Sequence, residues 1–248
     1  MRSRLAGLSG FLHNSFIDFP GTVSAVLFFR GCNLRCPYCH NPGMILDAAD
    51  IADKSDEVWN YLEKRRGLID GVVITGGEPS LHPNIVSTVV PELRKMGYKL
   101  KLDSNGLNPE FIEEFKPDYF AMDFKTSPER YCSVLKAQMN NVKERLERSI
   151  VIVRSMKQNA EIRITVAPGI FDLEDAAIAA EMLKGVEKVF VQPANLHKDI
   201  LDPAFFVGVK DDEEIILSRQ VREIIAPNVG TCIVRGDGAE DRNFVGLG

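Results

Sequence analysis

No apolar run in the sequence approaches the roughly 18–20 residues that a membrane-spanning helix needs. There is no basic stripe either: 30 Lys and Arg are outnumbered by 35 Asp and Glu, giving a net charge of −5 over 248 residues, with the signs mixed along the chain. The first absence leaves no membrane-spanning helix to expect, and the second argues against a general nucleic-acid or anionic-membrane binder. Cysteine occurs five times, an odd number, with three within eight positions and Cys132 and Cys232 alone. That is not the even, dispersed set of a disulfide framework. The first residues do not suggest a leader either. Met1-Arg2-Ser3-Arg4-Leu5 carries two positive charges, but Gly, His, Asn and Ser interrupt the stretch behind it. A signal peptide is therefore a poor reading, and a cytoplasmic location is expected. No internal repeat, low-complexity segment or Pro/Ser-rich linker divides the chain.

What is present suits a folded domain: 45% hydrophobic and 26% charged residues supply a core and leave little room for disorder. Apolar runs of strand character fall at 23–29, 71–75, 99–103, 119–124, 161–166 and 188–192, with a possible last one at 231–235. Helix-like amphipathic stretches fall at 53–66, 85–95, 109–115, 140–157, 173–183 and 211–225. Asp53 or Ser55 can cap the first of these, with Val58, Trp59 and Leu62 on one face. Six strand-then-helix repetitions imply a parallel sheet covered by helices, and strands that are apolar throughout imply two buried faces. The fold class expected is α/β, a partial (β/α)6 TIM-like barrel with outer helices, with a doubly wound open sheet as the competitor. One domain is expected over 1–248, its core at about 16–195 and a less regular portion at 196–248.

The segment Gly31-Cys32-Asn33-Leu34-Arg35-Cys36-Pro37-Tyr38-Cys39-His40-Asn41-Pro42 carries the chemistry. Three thiolates spaced C-x3-C-x2-C on one loop can converge on a soft metal centre. The loop follows a strand, where α/β folds place their sites. Four cysteines usually saturate a four-iron cluster, and neither Cys132 nor Cys232 has a cysteine neighbour in sequence. A three-thiolate cluster leaves one iron open, which the amino and carboxylate groups of a methionine moiety would chelate. A zinc site of the three cysteines with His40 has an unusual ligand spacing. Structural cysteines would not normally crowd one polar loop, and a redox C-x2-C pair would leave Cys32 unexplained.

With Tyr38 as the aromatic before the third cysteine, this spacing resembles the signature of the radical S-adenosylmethionine superfamily. Phe16-Ile17-Asp18-Phe19-Pro20-Gly21, then a strand, Gly31-Cys32 and Cys39-His40-Asn41-Pro42, is similar to glycyl-radical-enzyme activating proteins. Within that group it looks most like activators of the anaerobic ribonucleoside-triphosphate reductase. The likeness runs over roughly residues 8 to 200. It implies a [4Fe-4S] cluster held by Cys32, Cys36 and Cys39, and S-adenosylmethionine reductively cleaved to methionine and a 5′-deoxyadenosyl radical. That radical takes a hydrogen atom from a glycine α-carbon of a partner enzyme. It also implies an electron donor such as flavodoxin or ferredoxin, and neither a membrane nor a nucleic acid as partner.

The resemblance assigns further cofactor-binding residues beside Tyr38. Thr75-Gly76-Gly77-Glu78-Pro79 ends a strand, where two glycines let the backbone approach a ligand and Glu78 offers an acceptor to the methionine ammonium; alone it reads as a Gly-Gly turn. Asp103-Ser104-Asn105-Gly106 resembles an Asp-Thr-Asn-Gly element in which Ser keeps the hydroxyl, and otherwise reads as a turn. Asp123-Phe124-Lys125 resembles an Asp-x-Lys element whose Lys125 neutralises the methionine carboxylate. Asp103, Asp123 and that carboxylate make three negative groups, so a monovalent cation between them is expected; the alternative is two solvated aspartates. Arg163 alternates with Ile162 and Ile164 and points into the barrel, unless it is a surface arginine. Gln192 and Asn195 are loose matches to adenosine contacts. His13, His82 and His197 read as loop histidines. Arg30 and Arg35 either tune an anionic cluster or dock an acidic partner.

Three functions compete: activation of an anaerobic ribonucleotide reductase; the same chemistry on another protein, a nucleoside or a small molecule; and a zinc or iron–sulfur module without catalysis. The lack of a second cysteine group weakens enzymes with auxiliary clusters.

Overall fold

The computed structural model describes residues 4–46, 53–197 and 199–236, so part of the C-terminal portion expected to be irregular lies outside them. The chain forms two compact units: Met1–Asn33 with Asn41–Ser104 and Asn108–Ala121, and Leu34–His40 with Asn105–Leu107 and Met122–Gly248. Among the described residues no helix is long and apolar enough to cross a membrane.

In the first unit, β1 (Leu8–Ser15) pairs antiparallel with β2 (Ser24–Phe29). After β2 come α1 (Pro42–Leu46) and α2 (Ser55–Lys64), then β3 (Gly71–Gly76). The apolar face of α2 buries Val58, Trp59 and Leu62, as the spacing predicts. Its N-cap is Lys54, without a side-chain cap, so neither Asp53 nor Ser55 caps it as expected; Asp53, one residue before, accepts the Ser55 N–H at 3.0 Å. A wide turn, Ile85–Val89, leads into α3 (Val90–Lys95) and β4 (Lys99–Ser104). β2, β3 and β4 are parallel, with Ala25 opposite Val72 and Val73 opposite Lys101. Phe19, Val26, Val73 and Tyr119 pack together under this sheet. α4 (Pro109–Phe115) starts on Asn108, whose side-chain oxygen accepts the Phe111 N–H, with Pro109 at the first helical position. β5 (Tyr119–Asp123) is divided between the units.

The second unit holds α5 (Tyr131–Val134), α6 (Val142–Met156), β6 (Ala160–Val166), α7 (Leu173–Met182), β7 (Lys188–Pro193), α8 (Glu213–Ile225) and β8 (Thr231–Val234). β6, β7 and β8 are parallel neighbours in chain order. The alternation of parallel strands and helices is the α/β class expected.

The structure differs from the sequence reading at β1 and over 85–95, and it adds the short helices α1 and α5. β1 was not expected: the polar residues that interrupt the N-terminal apolar stretch belong to an edge strand, and Leu12, His13 and Asn14 face solvent. His13 therefore sits on a strand, not a loop. The single helix expected over 85–95 divides because Pro91 has no N–H to donate to the residue four before it, and the turn widens ahead of it.

Asp175 organises the second unit. It is buried, and its Oδ1 accepts the Ser127 N–H at 3.0 Å and the Thr126 hydroxyl at 3.3 Å. Oδ2 accepts the Asp172 N–H at 2.9 Å and pairs with Arg130, so one carboxylate completes the capping box of α7 and ties down the loop after β5. Removing it leaves three donors without this acceptor and takes from Arg130 its buried partner, leaving it Asp172 and the Gly169 carbonyl. Asp175→Ala is expected to cost about 2–4 kcal/mol in denaturant unfolding of the apo chain; a loss under about 0.5 kcal/mol would show the network to be redundant.

Candidate active site

Cys32 follows β2, and the chain around it is tied to the end of β3. The Gly77 N–H donates to the Phe29 carbonyl and the Glu78 N–H to the Gly31 carbonyl, both at 2.8 Å. A Cβ on Gly76 would lie 2.1 Å from the Phe29 oxygen, and one on Gly77 would lie 1.9 Å from the Gly31 oxygen and 3.4 Å from Cys32 Cβ. The close approach that these glycines permit is thus to the polypeptide leading into Cys32. His82 reinforces it: its Nε2 donates to the Arg30 carbonyl at 2.7 Å and its ring packs on Phe29, so it acts as more than a loop histidine. Gly77→Ala is expected to lose at least about 3 kcal/mol of stability, because backbone, not a side-chain tip, must give way; thermal unfolding near the parent's midpoint would contradict this.

Glu78 is 1% exposed. Its Oε1 accepts the Ser80 N–H at 3.0 Å and the Ser104 hydroxyl at 2.9 Å. The hydroxyl that Ser104 keeps therefore orients Glu78. Asp103 is paired with Lys101, two residues earlier on the same face of β4, their side chains 11% and 3% exposed. Asn105 accepts the Leu107 N–H at 3.0 Å and shapes the following turn.

In the second unit, Cys36 and Tyr38 are buried and Cys39 is partly exposed. The Cys39 N–H donates to the Cys36 carbonyl at 2.9 Å, closing a turn between the two thiols. Burial pushes the Cys36 thiol up, and the Lys125 ammonium opposes it. The Tyr38 hydroxyl is buried with no hydrogen-bond partner among the described residues, and its nearness to the sulfur also favours the Cys36 thiolate. The loop is held from outside as well. The Arg35 N–H donates to the Leu135 carbonyl, the Leu201 N–H to Cys39 and the Asp202 N–H to Pro37, at 2.8 to 3.0 Å. The last two donors come from the portion beyond 196, for which the sequence suggested no role. Main-chain bonds of this kind leave no mark in a sequence. Arg35 itself is exposed, with Nη1 on the Leu34 carbonyl at 2.9 Å.

Asp123 accepts Arg163 Nε at 2.8 Å and Lys125 Nζ at 3.3 Å. Arg163 thus points from β6 to the Asp-x-Lys element, as its alternation predicts. The Lys125 N–H donates to the Tyr131 hydroxyl at 3.0 Å, and Tyr131 was not singled out in the sequence. Gln192 donates to the Thr165 hydroxyl at 3.0 Å across β6 and β7, while Asn195 is exposed and accepts the His197 N–H at 3.2 Å. Neither geometry points specifically to adenosine.

Burial would raise the Asp123 carboxyl, but the Arg163 and Lys125 charges outweigh it and hold it at about 2. A depressed folded value stabilises above the unfolded value and is lost as pH falls through the folded one. With the side chain 27% exposed, this amounts to about 1–2 kcal/mol after solvent screening. The stability gap between the parent and Asp123→Asn is expected to hold above about pH 5 and shrink between about pH 4 and 2; a gap constant across that window in urea unfolding would contradict the pairing.

Among the described residues no three His, Cys, Asp or Glu side chains are arranged to hold a single metal ion. The unsatisfied Tyr38 hydroxyl and the cationic surroundings of Cys36 suit an anionic group there.

Comparison with known proteins gives the same reading. A profile of the Radical SAM superfamily matches residues 26–182. A Methanocaldococcus jannaschii protein provisionally named a glycyl-radical enzyme activating enzyme is 31% identical over 204 residues, covering 80% of this chain and 83% of its own. The pyruvate formate-lyase-activating enzyme of Clostridium pasteurianum is 26% identical over 220 residues, covering 85% and 87%. Among solved structures, TYW1 with a lysine-pyruvate adduct bound superimposes with a TM-score of 0.56 at 15% identity, covering 83% of this chain and 74% of that one. That likeness is one of fold, and the fold is the partial TIM-like barrel expected from the sequence.

Proposed function

Because this chain belongs to the radical SAM superfamily, we propose that it is the activating enzyme that installs the glycyl radical of an anaerobic ribonucleoside-triphosphate reductase. It is an enzyme of the glycyl-radical-enzyme activating type, and its cofactors are a [4Fe-4S] cluster and S-adenosylmethionine. The observation that carries the site assignment is the meeting of distant motifs in one unit. The Cys36 thiol lies under the charge of Lys125, which shares Asp123 with Arg163. The reductase as target rests on the resemblance of residues 16–43, 74–79 and 103–125 to its activators. The relatives named for pyruvate formate-lyase favour a second reading in which another glycyl radical enzyme is the substrate.

In this proposal Cys32, Cys36 and Cys39 are the cluster ligands, and Tyr38 closes their loop against the unit's interior. When bound and reduced, the cluster supplies the electron that cleaves S-adenosylmethionine into methionine and the radical that abstracts hydrogen from glycine. Lys125 lowers the cost of deprotonating Cys36 and, with Arg163, carries positive charge for the methionine carboxylate. Glu78, held by Ser80 and Ser104, accepts from the methionine ammonium, with Gly76, Gly77, Asp103 and Asn105 shaping that side. Gln192 and Asn195 remain candidate adenosine contacts. The chain works as one domain over 1–248, in the cytoplasm, with a flavodoxin or ferredoxin as electron donor, and neither a membrane nor a nucleic acid takes part. The interleaving of the two units along the chain and a family match spanning both support the single domain.

Anoxically reconstituted protein, strongly reduced and mixed with S-adenosylmethionine and either the reductase or pyruvate formate-lyase, is expected to give a glycyl doublet in electron paramagnetic resonance with the reductase. A doublet with the lyase alone would transfer the target. Zinc without iron, or no 5′-deoxyadenosine, would refute the chemistry. Cys36→Ala is expected to lower 5′-deoxyadenosine release at least about a hundredfold, in line with loss of a required ligand.

A further inference from the structure

Tyr38 is 5% exposed, and its hydroxyl oxygen is buried with no hydrogen-bond partner among the described residues. A buried hydroxyl in that condition is costly, and an acceptor that the empty chain does not supply would remove the cost. The groups that act on it within the second unit are Lys125, Cys36, Asp123 and Tyr131. The Lys125 ammonium has donors only. Asp123 accepts Arg163 and Lys125 and makes no bond to Tyr38. The Tyr131 hydroxyl already accepts the Lys125 N–H at 3.0 Å. There remains the Cys36 sulfur, close enough for the Tyr38 hydroxyl to favour its thiolate and held in place by the bond from the Cys39 N–H to the Cys36 carbonyl. A neutral thiol is a weak acceptor, whereas a metal-bound thiolate carries negative charge and accepts more strongly.

We propose that the Tyr38 hydroxyl donates a hydrogen bond to the Cys36 sulfur once that sulfur is bound to the cluster, and so raises the cluster's reduction potential. This rests on the function proposed above, because it takes Cys36 as a cluster ligand. Tyr38 is a positioning residue: it acts on the cluster through Cys36. Reduction adds one electron to the cluster and moves no proton. The hydroxyl keeps its hydrogen, whose positive end lies against a sulfur that becomes more negative. The reduced state is therefore stabilised more than the oxidised one. A higher potential widens the range of donors able to reduce the cluster. Tyr38→Phe removes the bond with no change of charge and keeps the ring, which separates this effect from the field of Lys125.

The test titrates anoxically reconstituted parent and Tyr38→Phe with a chemical reductant, without S-adenosylmethionine, and follows the reduced cluster by electron paramagnetic resonance. The Tyr38→Phe potential is expected to fall by the equivalent of about tenfold in the reduction equilibrium, about 59 mV for one electron. Electron–nuclear double resonance in heavy water gives a second readout: a deuteron coupled to the cluster that is present in the parent and missing from Tyr38→Phe. Apo protein gives a third. The hydroxyl has no partner there, so apo Tyr38→Phe is expected to melt at or above the parent's midpoint. An unchanged or raised potential, a deuteron coupling retained by Tyr38→Phe, or a lowered apo midpoint overturns the proposal. Should Tyr38→Phe take up no cluster, the parent in heavy water decides: a coupled deuteron supports the bond, and none overturns it. A parent that assembles no iron–sulfur cluster refutes the proposed function, and the apo midpoints still judge whether the hydroxyl is idle in the empty chain.

Discussion

A carboxylate or ammonium withdrawn from water costs on the order of several kcal/mol unless an opposite charge or a set of donors goes with it. The loops that follow the strands of this chain are built around that cost. Asp175 has Arg130 and two backbone donors, Asp123 has Arg163 and Lys125, Asp103 has Lys101, and Glu78 has Ser80 and Ser104. Each carboxylate sits where a loop must hold one shape, so pairing fixes the loop as well as the charge. Cys36 is under the same rule in reverse. Burial favours its neutral thiol and prevails, and the Lys125 charge opposes it only in part.

The second constraint is steric. The strand that carries Glu78 ends in two glycines because the chain entering Cys32 passes too close for any Cβ. Two segments far apart in sequence are thereby locked together, Gly77 bonding the Phe29 carbonyl and Glu78 the Gly31 carbonyl. A glycine pair of this kind looks like a ligand-binding device in the sequence, and here its direct use is to hold one loop against another. The effect on the site is indirect: Glu78 cannot drift relative to Gly31.

How far the sequence could be read follows from which forces set each element. Runs apolar on both faces announced β2 to β7, and the spacing of Val58, Trp59 and Leu62 announced α2, because burial decides those elements. The edge strand β1 is set by pairing to β2 rather than by burial, and its polar residues hid it. Pro91 could have warned of the break before α3, since its missing N–H is a local fact. The cysteine spacing and the strand-end motifs named the candidate residues, and Arg163, which alternates with Ile162 and Ile164, reaches Asp123. What was missed falls into two kinds. Lys101 was visible as a charge alternating with leucines, two residues from Asp103. The bonds from Leu201 and Asp202 to the cysteine loop are between backbone groups, which every residue but proline possesses, and nothing in the side chains could have announced them.

The same rule holds at the end of each strand that carries a charged motif. In the first unit the ammonium of Lys101 meets Asp103, and Glu78 receives the Ser80 N–H and the Ser104 hydroxyl. In the second, Asp123 receives both Arg163 and Lys125. Each of these carboxylates is therefore oriented by a donor or cation from its own unit before any ligand arrives. Groups that are ordered on folding need not be ordered again on binding, which lowers the cost of taking up a charged ligand. The motifs that a reader of the sequence would mark for their charge are thus, in the fold, first of all fixed in direction.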